Sequence, residues 1–313
     1  MTNNENNQLN NIVYDSIIYH NPCSDGTSAA WVVKHFIPTA ELIQCFAGQS
    51  PQNDITHFQG KKIIFVDLCP SKQYLETLVT VAEHITILDH HITAYKSLEN
   101  VSYPNVNFIF DNNQSGCMIT WNYFSSEPIP WFLAYIGDRD LWKWELLNSK
   151  EINTTLYEDE HINFKGLSKL FDENLNTSLS NFYNSSTFNS FVERGKILCE
   201  IKDKQMKTCM KTAISCKFEN YNIWLFTSSP DILSDVGNRL MAKSFKNGSM
   251  PNFTVCWRYN VLAHEYYISM RSTSESIDIS EICKKLGGGG HRNAAGCTLP
   301  GSTVLREMFV PQE

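Results

Sequence analysis

The sequence predicts an α/β protein with two domains: a mostly parallel sheet with helices on both faces, then a smaller mixed α/β domain. Three observations predict it. Short runs of Ile, Val and Phe alternate with helix-like stretches from residue 12 to about 145. Acidic residues and histidines recur where those apolar runs end. A second strand-and-helix rhythm begins near residue 215, after a long stretch free of proline.

Residues 1–11, MTNNENNQLNN, are polar and read as a disordered lead-in rather than a signal peptide. IVYDSIIYH (12–20) reads as a buried strand and SAAWVVKHF (28–36) as the helix that follows. KKIIFVDL (61–68) is a second strand, YLETLVTVAEH (74–84) a helix, and ITILDHH (85–91) a third strand. SGCMITWNYF (115–124) and WFLAYIGDRDLW (131–142) read as helices, with Trp121, Trp131, Trp142 and Trp144 as packing residues. Residues 146–190 are rich in Asn, Ser and Glu and read as exposed loops with short helices around GLSKLF (166–171). The first domain therefore spans 12–190, and a linker helix follows at 191–214. Its lysines alternate with Glu200 and Asp203, which reads as a solvated face. The second domain, 215–313, carries YNIWLFTSS (221–229), a helix at 231–245, FTVCWRY (253–259) and YYISMRST (266–273). The helix ISEICKKL (279–286) then leads into GGGGHRNAAG.

The composition narrows the function. With 313 residues, 42% hydrophobic and 19% charged, the chain has enough apolar material for a sizeable core. A net charge of −7 argues against the broad basic surface that wraps a long duplex. It leaves room for a small phosphorylated substrate, because one metal-loaded pocket is positive even on an acidic protein. Ten cysteines occur without any CxxC pair, which argues against a zinc knuckle. Scattered cysteines with no signal peptide and no apolar run near ~20 residues fit a reducing cytoplasm and no membrane span.

Chemistry gathers at strand ends. His20, Cys23 and Asp25 follow the first strand, Asp67 the second, and Asp89-His90-His91 the third. The C-terminal edge of a parallel sheet is where ligands bind, so these groups converge there. Carboxylates with imidazoles suit Mn²⁺, Fe²⁺ or Zn²⁺, and Asp138 or Asp140 in IGDRDLW can complete the set. Taken singly, each has a plainer reading. An Asp after a strand often caps a helix, and Asp138 and Asp140 could flank Arg139 in surface ion pairs. DHH at one strand end, after two acidic strand ends, is hard to explain as independent capping. The four glycines at 287–290 allow backbone N–H groups to approach a phosphate closely.

ILDHHIT resembles the signature of the DHH phosphoesterase family, and YISMRSTSESIDISEICKKLGGGGHRNAAG resembles the core of its DHH-associated C-terminal domain. FVDLCP and IGDRDLW resemble the family's second and fourth motifs, so the likeness runs from about 12 to 300. RecJ-type nucleases, nano-RNases, pAp phosphatases and cyclic-dinucleotide phosphodiesterases share this architecture. The resemblance implies two Mn²⁺ ions, with Mg²⁺, Fe²⁺ or Zn²⁺ as alternatives. It implies His20, Asp25, Asp67, His90 and Asp138 as ligands, with Asp67 bridging. Asp89 and His91 would orient His90 or touch the bridging solvent, and Asp140 would be a structural partner of Arg139. Where many members carry DxD, this chain has Cys23-Ser24-Asp25. Cys23 is then a thiolate ligand, a packed small residue, or the mark of a site that fills only with substrate. His291 and Arg271 would contact substrate phosphate beside Gly288, Gly289 and Gly290, in a cleft between the domains. The expected activity is hydrolysis of phosphate esters in small nucleotides: short oligonucleotides, linear dinucleotides such as pApA, pAp or cyclic nucleotides. Rival readings are a RecJ-like single-strand exonuclease, a nucleotide sensor weakened at Cys23, and an inorganic pyrophosphatase. The expected partner is a small nucleotide, without long duplex or membrane, and a homodimer is left open.

Overall fold

Parallel strand pairing organises the first third of the chain. A computed structural model describes residues 12–46, 49–173 and 178–312, and the lead-in expected at 1–11 lies outside them. The chain divides into two compact units, Met1–Cys199 and Glu200–Glu313.

In the first unit, β1 (Ser16–His20) runs into α1 (Ser24–Phe36), then β2 (Glu41–Cys45), a 3-10 turn at Ile55–Phe58 and β3 (Lys62–Val66). Next come α2 (Lys72–Leu78), β4 (His84–Asp89), α3 (Ile92–Leu98) and β5 (Val106–Phe110). The five strands lie in the order β2-β1-β3-β4-β5, all parallel. Alternation along the strands feeds two cores. Ile17, Tyr19, Ile64, Val66 and Leu88 face one side with α1. Ile18, Ile63, Phe65, Ile85 and Ile87 face the other with Leu75 and Leu78 of α2 and Leu98 of α3. The first core also takes α4 (Gly116–Phe124), α5 (Trp131–Asp140), α6 (Ser149–Glu158), α7 (Phe164–Glu173) and α8 (Leu179–Tyr183).

Three expectations are corrected here. The helix expected over 74–84 ends at Leu78, and His84 already begins β4. The β-branched run Val79-Thr80-Val81 disfavours helix, and Asn105 Nδ2 donates to the Val79 and Ala82 carbonyls at 3.1 Å each. The edge strands β2 and β5 add to the strands that the sequence predicts. Residues 146–190 are largely helical rather than exposed loops, and α6 is buried from Ile152 to Leu156. Its polar residues hide this, because several of their donors are bonded inside. Asn153 Nδ2 donates to the Tyr135 carbonyl at 2.9 Å and Thr155 Oγ1 to the Phe191 carbonyl at 2.8 Å. Trp121 and Trp131 are buried as expected, whereas Trp142 is 45% exposed and meets Trp144 edge-on.

The long helix α9 (Ser186–Lys211) begins earlier than the expected 191. In the second unit, β6 (Ile214–Phe218), β7 (Tyr221–Phe226), α10 (Leu233–Met241), β8 (Phe253–Asn260) and β9 (Glu265–Arg271) follow. They lead to α11 (Ile279–Lys285), β10 (Gly289–His291), β11 (Ala294–Pro300), α12 (Leu305–Met308) and β12 (Val310–Pro311). The seven strands form a mixed sheet in the order β10-β11-β9-β8-β7-β6-β12, with only β7 and β8 parallel. α11 packs on one face through Ile279, Ile282 and Cys283. α10 packs on the other through Leu233, Val236 and Leu240. No helix among the described residues is long and apolar enough to cross a membrane.

Candidate metal centre

The strand order β2-β1-β3-β4-β5 reverses direction between β1 and β3, and the ends of β1, β3 and β4 are neighbours there. His20 ends β1, and Asp25 sits in the first turn of α1. Asp67 follows β3 in the left-handed region at φ 53, a conformation that costs a non-glycine residue roughly 1–2 kcal/mol. Its N–H is held by the Leu88 carbonyl at 3.0 Å. Asp89 ends β4, and its Oδ1 accepts from the backbone N–H of His90 at 2.7 Å and pairs with His91 Nδ1 at 2.6 Å.

Asp25 is fully buried, and the start of α4 meets it. Gly116 N–H donates to its Oδ2 at 2.5 Å and Cys117 N–H to its Oδ1 at 3.0 Å. The Ser115 side chain leaves that helix start uncapped, so a carboxylate 91 positions away does the capping. Glycine is required at 116, since a Cβ there would lie 2.6 Å from Asp67 Cβ and 3.0 Å from Asp25 Oδ2.

These side chains form one cluster. His90 Nε2 lies 3.1 Å from Asp67 Oδ1, 3.5 Å from Asp140 Oδ2 and 3.8 Å from Asp25 Oδ2. His20 Nδ1 lies 3.6 Å from Asp67 Oδ2, and His91 Nδ1 lies 3.9 Å from Asp67 Oδ1. Three ligand sets result: His20, Cys23 and Asp67; Asp25, His90 and Asp140; and Asp67, Asp89, His90 and His91.

The carboxylates and imidazoles of the cluster shift one another's proton affinities. Burial opposes the charge on Asp67, but the imidazoles of His20 and His90, with His91 nearby, outweigh it and hold the carboxyl well below its usual range. Asp140 goes the other way. Burial and the charges of Asp25 and Asp67 push it up to about 8. Burial and Asp67 likewise raise Asp25. Burial disfavours charge on His90, yet Asp67, Asp25 and Asp140 together raise it to about 10. Protons on His90 and Asp140 thus stand where external positive charge would serve. Burial and then Asp67, Asp140 and Asp25 also keep the Cys23 thiol well above its ordinary pKa. The donor set fits a divalent metal on a further ground: Asp67 Oδ2 and Asp89 Oδ2 are buried without a hydrogen-bond partner.

The structure places two aspartates differently from expectation. Asp138, expected as a ligand, accepts from Ser149 Oγ and, at 3.0 Å, from Glu145 N–H, so its carboxylate braces the turn between α5 and α6. Asp140 enters the cluster instead. Residues two apart on a helix point to different sides, so only one of the pair faces the site. Arg139 stacks on the Tyr157 ring at 3.6 Å rather than pairing with Asp140. A signal was present in the sequence, since a carboxylate in the last turn of a helix opposes the helix dipole and wants a nearby cation.

Residues 243–309 match the DHHA1 domain family. The uncharacterized protein R106 of Acanthamoeba polyphaga mimivirus is 32% identical over 315 residues, covering 95% of this chain and 70% of that protein. This chain belongs to the DHH phosphoesterase family. Among solved structures, the DHH domain of a protein from a family of ribosomal proteins is similar in fold, with a TM-score of 0.50 and 13% identity over 96% of this chain and 86% of that one. PggH from Vibrio cholerae, a pGpG-specific phosphodiesterase, gives a TM-score of 0.44 and 14% identity over 93% and 94% of the two chains.

The DHHA1 segment of this DHH protein contains the remaining expected residues. Arg271 is half-buried and donates to Ser234 Oγ at 3.1 and 3.2 Å and to the Met270 carbonyl at 2.7 Å. Burial lowers its pKa, and no carboxylate among the described residues forms an ion pair with it. The glycine run is not a free loop. Gly289–His291 forms β10 against β11. Gly288 is forced by packing, because a Cβ there would meet the Gly296 carbonyl oxygen at 2.1 Å. Gly289 faces open space, and His291 is exposed.

Proposed function

We propose that this chain is a metal-dependent phosphoesterase acting on small nucleotides: short oligonucleotides, linear dinucleotides such as pApA, pAp or cyclic nucleotides. One observation carries the reading. Asp67 and Asp89 each keep a buried oxygen without a partner inside a cluster of imidazoles and carboxylates. Asp67 turns Oδ1 toward His90 and Oδ2 toward His20, as a carboxylate shared by two ions would. His20, Cys23 and Asp67 would hold one ion, and Asp25, His90 and Asp140 the other. Mn²⁺ suits this oxygen and nitrogen set, with Mg²⁺, Fe²⁺ or Zn²⁺ as substitutes. When bound, such a pair supplies an acidified water and neutralises charge on the phosphoryl oxygens.

The chain's own groups complete the reading. Asp89 fixes the His91 ring through Nδ1 and also ties the backbone of the DHH turn. Asp25 is pinned by the start of α4, so the cluster keeps its shape when a substrate arrives. Arg271, with no carboxylate partner among the described residues, suits a phosphate through its planar fork, and His291 with Gly288, Gly289 and Gly290 can add contacts. A net charge of −7 favours a short substrate over a long strand.

The test is purified protein with Mn²⁺ and a panel of pApA, pAp, short RNA, single-stranded DNA, cyclic mono- and dinucleotides and pyrophosphate. Product is expected from the small nucleotides. Release from none would point to a nucleotide-binding protein, and release from pyrophosphate alone to a pyrophosphatase. His90→Ala is expected to lose both metal and turnover, and a variant that keeps both overturns the site.

A further inference from the structure

We propose that the Tyr95 ring, backed by Phe110, is the stacking platform for the substrate's nucleobase. The inference rests on the phosphoesterase reading above and adds which part of the nucleotide lies where.

The platform is continuous with the metal centre on two sides. α3 begins at Ile92, directly after His91, and Tyr95 N–H donates to the His91 carbonyl at 3.0 Å. Tyr95 therefore sits one helical turn beyond His91, the residue that precedes the helix. Phe110 lies in register with Asp89 on the adjacent parallel strand, so both point to the same face, their backbones about 4.8 Å apart. The last residue of β5 thus stands beside the carboxylate that fixes His91.

The aromatic rings form layers. Tyr95 stacks on Phe110 with centroids 4.6 Å apart at 26°, and on Phe108 at 6.2 Å and 14°. Phe108 and Phe110 are only partly buried, and Tyr95 is 36% exposed. Ile92, beside the DHH turn, is 48% exposed. An outer tyrosine over two phenylalanines leaves partly exposed aromatic area on the elements that follow and flank the DHH residues. Base and phosphate are one sugar apart in a nucleotide, and the ring is one helical turn from the cluster. A flat π-face takes any base, and purines offer it more area than pyrimidines.

The experiment reads binding, not turnover. Protein with excess Mn²⁺ is titrated with AMP, CMP and ribose 5-phosphate by calorimetry. AMP is expected to bind more tightly than CMP, and both more tightly than ribose 5-phosphate. Tyr95→Leu, which keeps apolar cover over Phe110 but removes the ring, is expected to weaken AMP roughly tenfold to a hundredfold. It should leave ribose 5-phosphate unchanged, and Tyr95→Phe should keep wild-type affinity for AMP. Equal affinity of the wild type for AMP and ribose 5-phosphate, or an unchanged ratio in Tyr95→Leu, overturns the platform. If this binding pattern appears in a protein that hydrolyses nothing in the panel, the platform stands and the phosphoesterase reading falls.

Discussion

Asp138 and Asp140 are two positions apart in one helix and serve different ends. Asp140 faces His90, while Asp138 is spent on Ser149 and the Glu145 backbone. Their asparagine variants should therefore separate. Asp140→Asn is expected to lose bound Mn²⁺ by metal analysis with little change in melting. Asp138→Asn is expected to keep its metal but lose about 1–3 kcal/mol of stability in urea unfolding, because a buried acceptor is replaced. Loss of metal in Asp138→Asn alone would return that residue to the ligand set. Cys23 poses a second question of this kind. Its thiol is kept protonated by burial and by Asp67, Asp140 and Asp25, and it shares a ligand set with His20 and Asp67. A cation in that set would reverse the balance and favour thiolate. Cys23→Ser is then expected to weaken Zn²⁺ binding more than Mn²⁺ binding in competition titrations, since sulfur is the softer donor. If neither affinity moves, the cysteine is packing.

Among the elements, α4 has the most to do with the site's shape, although no acidic or histidine residue lies on it. Its start is capped by Asp25, and a side chain at Gly116 would run into Asp67. Gly116→Ala should push the helix off the cluster, lowering both bound metal and stability, the latter by about 1–3 kcal/mol as for other overpacked sites. Gly289→Ala, at a glycine with open space around it, is the contrast and should leave the melting temperature unchanged. The role of α4 was not legible from sequence, because SGCM carries no charge and its partners are distant in the chain. What was legible had a local cause. β1, β3 and β4 are buried on both faces, so their apolar runs are unbroken and their polar ends stand out. The edge strands β2 and β5 pair on one side only, and β2 carries exposed Glu41, Leu42 and Gln44 that blur the pattern. α6 misled because its buried Asn153, Thr154 and Thr155 read as surface until their partners are seen. That Asp138 bonds to Ser149 while Asp140 stands in the cluster was hidden for a similar reason, since Ser149 lies in a segment that read as loop.

For the molecule as a whole, the cluster links metal content, pH and stability. His90 has a folded pKa raised from 6.5 to about 10, so the stability it contributes is fully present below 6.5 and is lost as pH rises through 10. Asp140 is raised from 3.8 to about 8, so its contribution is lost as pH rises from 3.8 through 8. Asp67 is shifted down, and its contribution is already complete above the ordinary carboxylate value. The metal-free protein should therefore become less stable between pH 6.5 and 8.5. Metal binding runs in the opposite direction. Ligands bind ions in their deprotonated forms, so at pH 7 a cation must displace protons from His90 and Asp140, and its affinity rises with pH. Stabilisation by a ligand grows with the ratio of its concentration to Kd. The melting temperature with Mn²⁺ minus that without should thus be larger at pH 8.5 than at pH 6.5. Calorimetric titration of Mn²⁺ in buffers of different ionisation enthalpy should show on the order of one to two protons released at pH 7. A melting difference independent of pH, with no proton release, would mean that the ion binds away from His90 and Asp140.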